Sequence, residues 1–154
     1  CKMTLEYTQI SHDITSTRDS YVIALHFQPD KLTYYLRALD QCFSHNGGQK
    51  SRLLCFYSSS DASFLANFIG AVEQRGFALD ITIITLEMSD WEQLLLASVC
   101  HACILDGSIF SWWTAFLNKR PTAYICCPDP WFNSGYIERQ QRDLIPRPWI
   151  RIKI

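Results

Sequence analysis

The sequence lacks most of the marks by which a function is usually recognised. No apolar run approaches the roughly 18 residues of a membrane span, and no signal peptide leads the chain. No Gly-x-Gly-x-x-Gly follows a strand-like segment, which excludes the usual dinucleotide fingerprint. Gly47-Gly48-Gln49-Lys50-Ser51 has the tail of a P-loop, but the first glycine is missing and the stretch precedes a strand instead of following one. Charge imbalance is also absent: the net charge is −1, so no electrostatic case exists for nucleic acid as a partner. Asn-x-Ser/Thr does not occur, which argues against a heavily glycosylated context.

Cysteine is present without a framework. The seven cysteines, at positions 1, 42, 55, 100, 103, 126 and 127, are odd in number and repeat no spacing. A disulfide scaffold places its cysteines in the loops of a small secreted domain, whereas five of these lie in or beside expected strands. Cys100-His101-Ala102-Cys103 suggests a metal clip, but no second ligand pair with zinc spacing accompanies it. Buried free thiols are therefore expected, with the adjacent Cys126 and Cys127 facing opposite sides of a strand. Because the first residue is Cys1, a cut or processed start is expected.

What remains is the profile of a globular domain. The 154 residues fit one domain, and 48% hydrophobic against 19% charged residues supply a core. From Arg139 onward, Arg139, Arg142, Arg147, Arg151 and Lys153 face only Asp143, which reads as a solvated basic edge.

Along the chain, residues 1–19 have no clean period and are expected to form an arm or the remnant of an upstream domain, followed by one domain over 20–154. Tyr21–Phe27 is a continuous apolar run of the kind that forms a strand buried on both faces. Pro29 suits a first helical position, and Leu32, Tyr35, Leu36, Leu39 and Phe43 make a helical stripe that stops at Asn46-Gly47-Gly48. Arg52–Tyr57 is the next strand. Ser60 caps a helix with Phe64, Leu65, Phe68, Ile69 and Val72 on its buried face, and Gly76 stops it. Leu79–Leu86 is a third strand, and Ser89-Asp90-Trp91-Glu92 has capping-box spacing at the start of another helix. Ala102–Leu105 is a short buried strand, Asp106-Gly107 a turn, and a helix opens near Ser108 or Ile109 and ends about Asn118. Thr122–Cys127 is a fifth strand, and a last short strand falls near Ile150–Ile152.

Strands alternating with helices predict an α/β fold, a Rossmann-like parallel sheet with helices on both faces. Ligands of such sheets bind beyond the carboxyl ends of the strands. That rim collects Gln28-Pro29-Asp30, Ser58-Ser59-Ser60, Glu87-Met88-Ser89 and Asp106-Gly107-Ser108. Ser108 and Ser111 sit at a helix start, where unpartnered N–H groups and the helix dipole favour a phosphate. Two roles stay open for them, a cap on a core helix or a diphosphate contact. Trp112 and Trp113 are likewise open between core packing and a sugar pocket.

The segment Leu94–Asn118 resembles the α-1,2-fucosyltransferase family, glycosyltransferase family 11. That family shows a Cys, an apolar strand and then Ser-x-Phe-Ser-Trp-Trp-x-Ala-x-Leu, and Ser108, Phe110, Ser111, Trp112, Trp113, Ala115 and Leu117 match it. Pro128-x-x-Trp131-Phe132-Asn133, Asp143-Leu-Ile-Pro146-x-x-Trp149-Ile-x-Ile152 and Tyr34-Tyr35-Leu-Arg-Ala-Leu are similar to further family segments. The similarity spans about Tyr21 to Ile152 and implies the donor-binding, carboxyl-terminal half of a two-domain GT-B glycosyltransferase. It implies fucose transfer from GDP-fucose to a galactoside hydroxyl, with inversion and without a metal or other cofactor. The implied partners are the nucleotide-sugar donor, a glycan acceptor ending in galactose and an amino-terminal acceptor half absent from this chain. The implied location is the Golgi membrane, with the catalytic domain on the lumenal side, for a eukaryotic protein and the cytoplasm for a bacterial one.

Residue by residue, the resemblance implies donor contacts at Ser108, Ser111 and Trp112, nucleotide contacts at Ser58 and Ser59, and catalytic roles for His26 and Asp30. The family's His-x-Arg-x-Gly-Asp segment corresponds to His26-Phe27-Gln28-Pro29-Asp30, which lacks the arginine and is one residue short. Where relatives have Ser-Asp-Asp, Ser58-Ser59-Ser60 keeps only the first serine. An arginine on developing phosphate charge is worth roughly 10³–10⁵ in the rate of phosphoryl transfer. The departures therefore leave open a chain inactive alone, with a non-catalytic nucleotide- or carbohydrate-binding or partner domain of the same fold as the alternative.

Overall fold

The computed structural model describes residues 20–57, 62–84, 88–131 and 143–154, together with residues 9 and 12. The expected arm over 1–19 otherwise lies outside the described residues, as do Ser60, Arg139 and Arg142. Six strands form one sheet: β1 (Tyr21–Phe27), β2 (Ser51–Tyr57), β3 (Leu79–Ile84), β4 (Ala102–Ile104), β5 (Tyr124–Asp129) and β6 (Ile150–Lys153). Four helices connect them: α1 (Leu32–His45), α2 (Ala62–Arg75), α3 (Asp90–Ala97) and α4 (Ile109–Phe116). The strand order is β3-β2-β1-β4-β5-β6, and every pairing is parallel. This is the doubly wound order of Rossmann-like domains.

Strand β1 is central and buried along Val22–Phe27, because both faces of a parallel sheet are covered. Its side chains alternate. Ile23, Leu25 and Phe27 pack with Tyr34, Leu39 and Phe68 of α1 and α2, while Val22 and Ala24 pack with Leu96 and Ala115 of α3 and α4. The two faces divide the cysteines in the same way, with Cys126 toward α1 and Cys127 toward α4. Cys42, Cys55, Cys100, Cys103, Cys126 and Cys127 are all buried free thiols, and burial pushes the Cys55 and Cys103 thiols up to about 12. Cys55 and Cys103 are thus packing groups, held in the protonated form.

Local chemistry sets the element ends. Gly76, at φ +67°, ends α2 in the left-handed conformation. The expected capping box opens α3, with Ser89 accepting from the Glu92 N–H and Glu92 accepting from the Ser89 N–H. Pro29 opens a 3-10 turn (Pro29–Lys31) ahead of α1, not the first turn of the helix itself. Strand β3 is only half-buried because it is a sheet edge, and it ends at Ile84, with residues 85–87 outside the described set. Arg147, Arg151 and Lys153 are exposed, as expected of a solvated edge. Among the described residues, no helix is long and apolar enough to cross a membrane.

Candidate functional site: a cleft at the switch point of the sheet

From β1 the chain winds outward through β2 and β3, then returns to the other side of β1 to lay down β4, β5 and β6. The connections diverge at the carboxyl ends of β1 and β4, which is where open α/β sheets bind ligands. A cleft of about 290 Å³ occupies that place. His26 and Gln28 line it from the end of β1, Phe56 and Tyr57 from the end of β2, and Asp90 and Gln93 from α3. Asp106, Ser108 and Phe110 complete it at the start of α4.

Asp106 organises the α4 side. Its carboxylate accepts the Ser108 N–H at 2.8 Å and the Ser111 hydroxyl at 2.6 Å. Ser108 is the N-cap, its hydroxyl oxygen accepting the Ser111 N–H at 3.1 Å. The N–H groups of Ile109 and Phe110 have no partner within the helix, as for any first turn. Gly107 bridges Asp106 and Ser108 at φ +92°, and a β-carbon there would lie 3.1 Å from the Trp131 carbonyl oxygen and 3.2 Å from Lys31 Nζ. Backbone conformation and space both require glycine at this turn.

His26 is only 4% exposed and is held between aromatic rings, stacked on Phe56 at 5.0 Å and edge-on to Phe110 at 5.6 Å. Its Nε2 is buried without a hydrogen-bond partner. Burial pushes the imidazole down to about 4 against the opposing pull of the Asp106 carboxylate, so the ring is neutral at pH 7. A buried polar atom left unpaired costs about 1–3 kcal/mol. Behind the cleft, the Tyr34 hydroxyl donates to the Leu105 carbonyl at 2.7 Å, and the Tyr35 hydroxyl accepts the Gln28 N–H at 2.8 Å. The tyrosine pair thus fixes the ends of β1 and β4 from α1.

The expected site residues separate into three groups. His26 and Ser108 come together in the cleft. Ser111 is fully buried, its hydroxyl spent on Asp106 and the Ser108 carbonyl, so it supports the helix start without facing the cleft. Trp112 stacks on Phe116 at 4.8 Å and donates its indole N–H to the Leu144 carbonyl at 2.9 Å, outside the cleft lining. Asp30 is exposed and lines a separate hollow, because the 3-10 turn carries it away from His26. Ser58 and Ser59 lie outside the described residues. Asp106 was legible only as a turn residue; an Asp two positions before a capping Ser is the signal for its bond to the backbone. Phe56, Phe110 and Gln93 carried no local signal. Among the described residues no Lys or Arg lines the cleft, and no group of three or more His, Cys, Asp and Glu side chains is arranged to hold a metal ion.

A doubly wound parallel sheet with a polar cleft at its switch point defines a Rossmann-like domain. Residues 67–153 match the model of glycosyl transferase family 11, more than half of the chain. The chain belongs to that family, and the membership supports a function of the fucosyltransferase type. No curated protein matches the chain.

Proposed function

We propose that this domain binds GDP-fucose in the cleft between β1 and β4 and serves as the donor half of a galactoside α-1,2-fucosyltransferase. The observation that carries the proposal is the unpaired Nε2 of buried His26, set at the sheet's switch point beside the start of α4. The diphosphate takes hydrogen bonds from the N–H groups of Ile109 and Phe110, where the helix dipole favours negative charge, and from the Ser108 hydroxyl when it turns from Ser111 Oγ, to which it donates at 3.2 Å. His26, neutral at pH 7, serves as a hydrogen-bonding contact; a base with a pKa near 4 is poorly matched to removing a hydroxyl proton at neutral pH. Ser58 and Ser59, next in sequence to cleft-lining Tyr57, take the nucleotide side. Ser111 and Trp112 are positioning residues, one through Asp106 and the other through Leu144. Asp30 is assigned no contact with the donor. The galactose-ended acceptor is held by a separate acceptor half.

In the transfer, the acceptor hydroxyl attacks the anomeric carbon while GDP departs on the opposite face, and negative charge grows on the diphosphate. Donors aimed at that charge lower the barrier. Here they are neutral hydrogen-bond donors, each worth about 0.5–1.5 kcal/mol net, in a cleft that also holds the carboxylates of Asp90 and Asp106. The absence of Lys and Arg from the described lining favours a second reading, a domain that binds the donor without completing catalysis. Calorimetric titration of the folded chain with GDP and GDP-fucose tests binding. A radiolabelled fucose transfer assay to lactose, on the chain joined to its acceptor half, separates the enzyme from the binder.

A further inference from the structure

The cleft sets its own ligand an electrostatic problem. Asp90 and Asp106 both line it, and among the described residues no Lys or Arg does. Asp90 is exposed, so water screens its charge. Asp106 is only 8% exposed, and its carboxylate accepts the N–H of Ser108, the N-cap of α4. Its charge thus lies within a residue or two of the N–H groups that face the cleft. The start of a helix contributes about half a positive charge, which a full carboxylate outweighs. The cation that faces Asp106 comes from behind the turn. Lys31 ends the 3-10 turn after β1, and β1 and β4 are neighbours in the sheet, so its side chain reaches the turn after β4. Its Nζ donates to the Asp106 carbonyl, and a β-carbon on Gly107 would lie 3.2 Å from that Nζ. The ammonium therefore rests against Asp106-Gly107, in space that only glycine leaves open. Lys31 is half-buried; burial pushes its ammonium down, while the carboxylates of Asp106 and then Asp30 pull it back up.

We propose that Lys31 is a positioning residue of the diphosphate site, whose ammonium offsets the buried Asp106 carboxylate from behind the turn and so lets the start of α4 accept an anion. The inference rests on the donor reading of the cleft and adds the group that balances its charge. Lys31 stands outside the cleft lining and acts through Asp106 and Gly107. Asp106 is needed for the shape of the site, because it ties together Ser108 and Ser111. Its negative charge is the cost of that shape, and Lys31 is the cation that reaches it. Asp30, exposed on the 3-10 turn, competes for the ammonium only through solvent.

The test is a set of calorimetric titrations of the folded chain with GDP and with guanosine, which keeps the base and ribose and carries no charge. They are run on the parent, on Lys31→Met, on Lys31→Arg and on the double variant Lys31→Met with Asp106→Asn. One unit charge about 10 Å from another, at an effective dielectric near 20, changes an affinity roughly tenfold. Lys31→Met is therefore expected to weaken GDP binding roughly tenfold and to leave guanosine binding unchanged, and added salt narrows the gap. Lys31→Arg stays near the parent. The double variant regains GDP affinity, because the carboxylate that Lys31 opposes is gone. An ammonium that merely fastens the turn predicts equal losses for GDP and guanosine, and that result overturns the proposal. So does a double variant that folds and binds GDP no better than Lys31→Met; if it does not fold, the salt dependence of Lys31→Met decides. A parent that binds no GDP sinks the donor reading and this inference together. A parent and a Lys31→Met variant that bind GDP equally sink this inference alone.

Discussion

The neutral imidazole of His26 makes the domain acid-sensitive in a defined window. In the unfolded chain a histidine titrates near 6.5, whereas in the fold burial holds His26 down to about 4. Below pH 6.5 the unfolded chain takes up a proton that the folded domain refuses until near pH 4. Stability therefore falls as pH drops through this window and flattens below it. The separation is about 2.5 pH units, and at 1.36 kcal/mol per unit the loss reaches about 3 kcal/mol at the acid end. Against the roughly 5–15 kcal/mol of a typical domain this is a large share. The perturbation is His26→Phe, which places a ring of similar shape between Phe56 and Phe110 and removes the unpaired Nε2. Urea unfolding of both proteins between pH 7.5 and 4.5 measures the effect. Half-buried His101, also pushed down, contributes to both profiles, so the difference between them reports His26 together with its interaction with Asp106. At pH 7.5 the variant is expected within about 1 kcal/mol of the parent, since no hydrogen bond is lost. At pH 4.5 it is expected to lead by about 2–3 kcal/mol. Parallel profiles refute the reasoning.

Three substitutions probe the frame of the cleft. Ser111→Ala removes the hydroxyl that donates to Asp106 at 2.6 Å and leaves a buried carboxylate short of a donor, an expected loss of about 1.5–3 kcal/mol in chemical denaturation. Gly107→Ala forces a β-carbon to φ +92° and to 3.1 Å from the Trp131 carbonyl, so a loss of about 1–3 kcal/mol is expected in the same assay. Trp112→Phe keeps the stack on Phe116 but releases the Leu144 carbonyl, for an expected loss of about 0.5–1.5 kcal/mol and faster proteolysis near Leu144.

The elements were legible where one local rule decided them. Tyr21–Phe27 and Leu53–Tyr57 are apolar runs because the strands are covered on both faces. The Ser89–Glu92 box and Gly76 are chemical signals at helix ends, and both hold. What the chain does not display locally is which groups meet. His26 and Asp30 are four positions apart, yet the proline-led turn sends Asp30 to the opposite face of the sheet. Ser108 and Ser111 look equivalent as hydroxyls at a helix start. A helical turn points Ser111 inward onto Asp106, while Ser108 remains at the cleft. Asp106 owes its importance to both serines at once, and His26 to Phe56 and Phe110 on other elements; such convergence follows from tertiary packing.

The central claim is that the β1/β4 cleft binds a guanosine diphosphate donor through the start of α4 and His26. Its most direct measurement is a chemical-shift titration of the folded, isotope-labelled chain with GDP up to millimolar concentration, following the amides of Ser108, Ile109 and Phe110 and the His26 ring. Saturable shifts concentrated at those groups, with smaller changes on Arg37 and Phe64, are predicted. A folded chain whose α4 amides and His26 ring stay unmoved at millimolar GDP contradicts it.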